Sequence, residues 1–132
     1  MTEKERIELA ELLFPNITKT REEYEEMYPE RNLPEGAMVT RYGPSPTGSV
    51  HLGNLLSAFA DMVYAKQTKG SFFLRIEDTD QKRKIDGGIE NITSILHDFD
   101  ILPTEGYSFG GNYGPYICLL YTSPSPRDGA TS

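Results

Sequence analysis

Cysteine is nearly absent from this sequence: Cys118 stands alone among 132 residues, so no disulfide can form within the chain. No CxxC pair or His/Cys cluster offers a zinc site. Such usage fits a reducing compartment. Long apolar runs are missing too. No stretch approaches the roughly 20 apolar residues that a membrane-spanning helix needs. Met1 is followed by TEKERIE, which is too acidic for a secretory signal. These absences predict a cytoplasmic protein without membrane contact. Positive charge is also scarce, with 13 Lys and Arg against 20 Asp and Glu and a net charge of −7. Gripping a phosphate backbone depends on counterion release by clustered Lys or Arg. The chain unaided is therefore a poor match for nucleic acid, and such contact would need parts not present in it.

The acidity is uneven. Residues 1–35 hold ten glutamates against five Lys and Arg, whereas residues 36–117 hold nine acids against seven bases. A hydrophobic fraction of 37% with 12 glycines beside it is that of a globular chain, and the length suits one domain with a modest core.

Thr2 with Glu5, and Thr20 with Glu23, have the spacing of capping boxes, in which side chain and backbone satisfy each other at a helix start. The first introduces Ile7, Leu9, Ala10, Leu12 and Leu13 at near-helical intervals up to Pro15. The second introduces Tyr24, Met27 and Tyr28 before Pro29 and Pro34. From Gly36 the pattern changes. AMVTRY is a short extended run, GPSPTG a rigid turn, and residues 52–69 carry Leu52, Leu55, Leu56, Phe59, Met62 and Val63 at helical spacing, with Gly70 as the expected carboxy-terminal cap. SFFLRI at 71–76 reads as a second strand and EDTDQKRK as a polar loop. Ile85, Ile89, Ile92, Leu96 and Phe99 mark a further helix, ended by Pro103. Strand, helix, strand, helix predicts an α/β, Rossmann-like parallel sheet preceded by short helices. Ligands in such sheets sit at the carboxyl ends of the strands, where GPSPTG and EDTD both fall.

The stretch TRYGPSPTGSVHLGN, residues 40–54, joins strand to helix through two prolines and three glycines. It sets His51 and Gly53 at a helix start, where free amides and the helix dipole favour an anion. Neither a Walker A loop nor a GxGxxG fingerprint is present. Arg41 ends the first strand, where a guanidinium can hold a carboxylate through two parallel bonds or simply face solvent. Glu77, Asp78 and Asp80 form an acidic cluster without the regular spacing of a calcium loop, and Asp78 and Asp80 can equally cap the turn or pair with Lys82, Arg83 and Lys84. His97, on the polar side of the last helix, is expected to be solvated.

RYGPSPTGSVHLGN, residues 41–54, resembles the HIGH region of class I aminoacyl-tRNA synthetases in the form found in glutamyl-tRNA synthetases. LRIEDTD, residues 74–80, resembles their next signature. NLPEGAMVTR and GYSFGGNYGPYI are similar to the same family, so the resemblance spans roughly residues 30–117. It implies activation of L-glutamate by ATP, a substrate accompanied by Mg2+, and transfer of the glutamyl group to tRNA(Glu). By motif position, the resemblance gives ATP binding to Pro44, Ser45, Thr47, Gly48, His51, Gly53 and Asn54. Glutamate binding goes to Arg41, Gly43, Ser45 and Glu77, and the catalytic positions are His51, Gly53 and Asn54, with no metal ligand. The full signature has a second histidine where this chain has Asn54, whose amide can still donate a hydrogen bond.

The domain organisation expected from this reading is an acidic helical extension at 1–35, part of a Rossmann-like catalytic domain at 36–117, and a disordered non-native tail at 118–132. CLLYTSPSPRD in that tail resembles a translated sequencing adapter. The family's KMSKS loop and anticodon-binding domain have no counterpart in the chain, which alone is expected to be inactive. The alternatives are a glutaminyl-tRNA synthetase, against which PSPTG speaks, and the paralogue that attaches glutamate to a modified tRNA base. Outside the enzymes, the alternative is a non-catalytic nucleotide-binding module.

Overall fold

A computed structural model describes residues 1–15, 18–80, 82–83 and 85–118. The described residues divide into two compact units, one built on Met1–Glu30 and the other on the residues from Arg31 onward.

In the first unit both capping boxes form. Helix α1, Glu3–Leu13, opens with Thr2 Oγ1 accepting from the Glu5 amide while the Glu5 carboxylate accepts from the Thr2 amide at 2.7 Å. Helix α2, Arg21–Met27, opens in the same way on Thr20 and Glu23 and adds an Arg21–Glu25 ion pair at 2.7 Å. Neither helix buries a residue, so caps and i,i+4 pairs are the local interactions that favour them.

The second unit is a three-stranded parallel sheet in the order β1-β2-β3, with β1 at Val39–Tyr42, β2 at Ser71–Leu74 and β3 at Glu105–Gly106. Val39 pairs with Ser71, Tyr42 with Leu74, and Phe73 with Glu105. Parallel neighbours require long crossovers, supplied by α3, Leu52–Gln67, and α4, Gly88–Asp98. This is the expected α/β, Rossmann-like arrangement. Its core joins Phe72, Leu74 and Ile76 to Leu55, Ala58 and Ala65 of α3 and to Ile92 and Leu96 of α4.

The helices meet the core less broadly than their sequences predict. Leu52, Leu56 and Phe59 are exposed, because α3 packs through the adjacent stripe of Leu55, Ala58 and Ala65, where small side chains let the helix approach closely. With Phe99 and Ile101 they line an apolar groove of about 410 Å³. Ile85 and Phe99 are exposed as well, since α4 begins only at Gly88, after Gly87 in a left-handed conformation, and ends before Phe99.

Gly70 closes α3 as expected, its amide donating to the Ala65 carbonyl at 2.8 Å, although the left-handed residue of the cap is its neighbour. Lys69 takes the positive φ of 57°, and Gly70 is required because a Cβ there would collide with the Met38 carbonyl oxygen as β2 starts beside β1. No helix among the described residues is long and apolar enough to cross a membrane. Cys118, the first residue of the expected tail, is buried and donates its amide to the Ile76 carbonyl at 2.8 Å; residues 119–132 lie outside the described residues.

Candidate active site

Strand β1 runs directly into residues 43–48, and the turn they form is held from two directions. The Glu77 amide donates to the Pro44 carbonyl at 2.9 Å, which brings the acidic loop after β2 against the proline loop after β1. The Ile85 amide donates to the Pro46 carbonyl at 3.0 Å, and a Cβ on Gly88 would stand 2.9 Å from the same oxygen. The start of α4 therefore braces the turn by backbone contact that any side chain at position 88 would push apart. Pro44 and Pro46 are buried, whereas Ser45, Gly48 and Ser49 face solvent.

This turn and the start of α3 enclose a cavity of about 420 Å³. Of the residues singled out from sequence, Gly43, Pro44, Ser45, Thr47, Gly48, His51 and Asn54 line it. His51 is the N-cap of α3, with extended backbone and no side-chain capping bond, so its imidazole is not engaged at the helix terminus it begins. Its carbonyl accepts from the amides of Asn54 and Leu55, at 2.9 and 3.2 Å. Amides of a first helical turn lack intrahelical acceptors and favour an anion nearby. Gly53 falls outside the lining, one residue before Asn54, with open space where its Cβ would be.

Arg41 and Glu77 also lie outside the lining, and they hold each other. The Arg41 guanidinium donates to Glu77 Oε1 at 2.6 Å, and Arg75 Nε lies 4.0 Å from the same oxygen. Gly43 joins this pair to the cavity, because a Cβ on it would stand 3.3 Å from Glu77 Cγ and 3.5 Å from Arg41 Cζ. A cation, a carboxylate and a polar, amide-rich cavity thus occur side by side. That combination suits a ligand carrying both signs of charge beside one carrying phosphate.

Three further residues, Tyr42, Ser49 and Val50, line the cavity and escaped the sequence reading. Tyr42 is the last residue of β1; burial pushes its hydroxyl's pKa up, and that oxygen has no hydrogen-bond partner among the described residues. The signal for it was positional: it is the strand residue immediately before the turn. Among the remaining acids, Asp80 accepts from the Arg83 amide at 3.2 Å and the Arg83 guanidinium at 2.5 Å, as a turn-capping residue does. The Arg83 side chain holds the Asp80 carboxyl below its usual range. Asp78 is buried. Any pairing with Lys84 lies outside the described residues. His97 is exposed yet stacks on Phe109, their ring centroids 5.3 Å apart, rather than standing free in solvent. No group of three or more His, Cys, Asp or Glu placed to hold a metal occurs among the described residues.

The family of class I (E and Q) tRNA synthetase catalytic domains matches residues 37–117. A glutamate–tRNA ligase of Acetivibrio thermocellus is 53% identical over 113 residues, covering 83% of this chain and 21% of the relative. One from Clostridium beijerinckii is 47% identical over 112 residues, covering 82% and 20%. Among solved structures, a glutamate tRNA ligase of Elizabethkingia meningosepticum in complex with its amino acid is similar, with a TM-score of 0.58 and 43% identity over 60% of this chain and 16% of that one. The glutamate–tRNA synthetase of Elizabethkingia anophelis gives 0.59 and 42% over 61% and 16%. The chain spans about a fifth of the length of the curated relatives it matches.

Proposed function

Because this chain belongs to the class I (E and Q) tRNA synthetase catalytic-domain family, we propose that it forms the first part of a cytoplasmic glutamate–tRNA ligase. The observation that carries the reading is the cavity that brings together Gly43, Pro44, Ser45, Thr47, Gly48, His51 and Asn54, with the Arg41–Glu77 pair at its edge across Gly43.

In this reading the α-carboxylate of glutamate attacks the α-phosphorus of ATP, the bond to the β-phosphate oxygen breaks, and pyrophosphate leaves. The terminal ribose hydroxyl of tRNA(Glu) then attacks the glutamyl carbonyl, giving up its proton as AMP departs. The first-turn amides of α3 and the His51 imidazole meet charge that grows on the α-phosphoryl oxygens, where a fixed donor contributes about 3 kcal/mol or more. The open space above Gly53 leaves room for a flat base, and Asn54 adds an amide donor. Arg41 takes the substrate's side-chain carboxylate, and Glu77 with Ser45 takes its α-ammonium. Glutamate thereby replaces one ion pair by two. The cavity lining supplies no carboxylate, so it does not fit a protein-held cation, and Mg2+ would arrive on the phosphates of ATP.

The test is charging of tRNA(Glu) with labelled glutamate by an enzyme of the relatives' full length that begins with this chain. Glutamate-dependent release of pyrophosphate and labelled tRNA is expected. ATP binding without either product would instead mark a nucleotide-binding module.

A further inference from the structure

At the starts of β2 and β3 lies a buried polar cluster that the proposed chemistry does not use. The Glu105 residue is only 5% exposed, yet its carboxylate pairs with the Arg31 guanidinium, accepts from Ser71 Oγ at 2.9 Å, and accepts from the Tyr116 hydroxyl at 2.8 Å. Arg31 in turn lies over the Tyr113 ring, 3.9 Å from its centroid. A carboxylate removed from water is costly unless its oxygens are filled, and here both are.

The Tyr116 end of this cluster leads back to the site. The Tyr116 hydroxyl donates to Glu105 and accepts from the Tyr113 amide at 3.0 Å, so the ring is fixed at its far end. At its near end, the Tyr116 carbonyl accepts from the Ile76 amide, and the Cys118 amide donates to the Ile76 carbonyl, both at 2.8 Å. Ile117 thus runs parallel to Ile76, beyond the point where β2 leaves its ladder. On the opposite side the backbone of the same stretch bonds through Arg75 to Tyr42 and through Glu77 to Pro44. Glu77, the next residue, carries the carboxylate that meets Arg41.

We infer that Glu105 is a positioning residue for Glu77: its buried carboxylate, acting through the Tyr116 hydroxyl, fixes the 116–118 segment along Ile76 and so sets where the Glu77 carboxylate stands. The inference rests on the reading of Glu77 as a substrate-holding residue, and it extends the site to a cluster outside the cavity lining.

The test compares Tyr116→Phe, which removes the bond on this path, with Ser71→Ala, which removes a bond to Glu105 off the path. Both are made in the 132-residue chain and followed by NMR. Tyr116→Phe is expected to speed amide exchange at Ile76 and Cys118 about tenfold and to move the Glu77 side-chain carboxyl resonance. The Arg75 and Ser71 amides, bonded to Tyr42 and Met38, should keep their rates. Ser71→Ala should leave the Ile76 and Cys118 amides within about twofold of wild type. Uniform acceleration of all four amides, equal effects from both variants, or an unmoved Glu77 resonance would overturn the inference. Addition of L-glutamate to the wild-type chain probes the underlying reading separately: silence of the Arg41 and Glu77 side-chain resonances counts against that reading, while the exchange data still decide the role of Glu105.

Discussion

Arg41 and Glu77 stand 2.6 Å apart, nitrogen to oxygen, across the side chain that Gly43 lacks. Each occupies the other's charge while remaining partly open to water, with half of the Arg41 side chain exposed. Ion pairs so placed contribute about 0–1 kcal/mol. On the proposed reading, opening this one to admit glutamate therefore costs little, and two new pairs would replace it. The proposed glutamate pocket is in this sense closed on itself and easily opened.

His51→Ala, in an enzyme of the relatives' full length, is expected to lower glutamate-dependent turnover about 100-fold or more while changing ATP affinity less. In the proposed reaction the charge His51 would meet develops mainly as pyrophosphate leaves. Steady-state kinetics with varied ATP measure both quantities. Turnover near that of wild type would reduce His51 to a helix N-cap.

Stability should follow the stripe of α3 and α4 that touches the sheet rather than the broader apolar pattern. Leu96 is 1% exposed, and Leu96→Ala should cost about 2–5 kcal/mol. Leu56 is 67% exposed, and Leu56→Ser should change stability by less than about 0.5 kcal/mol. Urea unfolding of the two variants distinguishes these outcomes; similar losses in both would mean that α3 packs through the other stripe.

Much of this was legible in the sequence because it is local. Thr2 with Glu5 and Thr20 with Glu23 specify their helix starts by chemistry within four residues, and both boxes form. The rigid turn at 43–48 and the helix after it were equally plain, since proline and glycine act where they stand. What stayed hidden depends on neighbours distant in the chain. Strand β3 is two residues long, too short for any periodicity, and exists because Phe73 and Leu74 stand beside it. The choice between two apolar stripes on α3 is made by the sheet. The need for glycine at position 70 comes from Met38, and the mutual pairing of Arg41 and Glu77 joins residues 36 positions apart.

Acid should expose the Arg83–Asp80 contact. The Arg83 side chain lowers the Asp80 pKa, so this contact stabilises the fold above the usual aspartate value of 3.8 and is lost as pH falls through the lowered one. In Arg83→Ala the NMR titration midpoint of Asp80 should rise towards that usual value. The stability difference between the two proteins should then shrink as the solution is acidified. A midpoint that stays put would assign the shift to the backbone amides instead.

If this cavity and the charge pair at its edge select glutamate, the selection turns on Arg41. Glutamine carries no side-chain charge to meet a guanidinium, and a site shaped to bind a charged group discriminates against the analogue that lacks it. The measurement is the ratio of kcat/KM for glutamate to that for glutamine in tRNA charging, by the wild-type and Arg41→Ala forms of an enzyme of full family length. The ratio should fall about 100-fold or more in Arg41→Ala, whereas Glu77→Ala should weaken both amino acids alike through their shared α-ammonium. An Arg41→Ala enzyme that keeps the wild-type ratio would show that Arg41 is not the selector and place the selection of the side chain elsewhere in the protein.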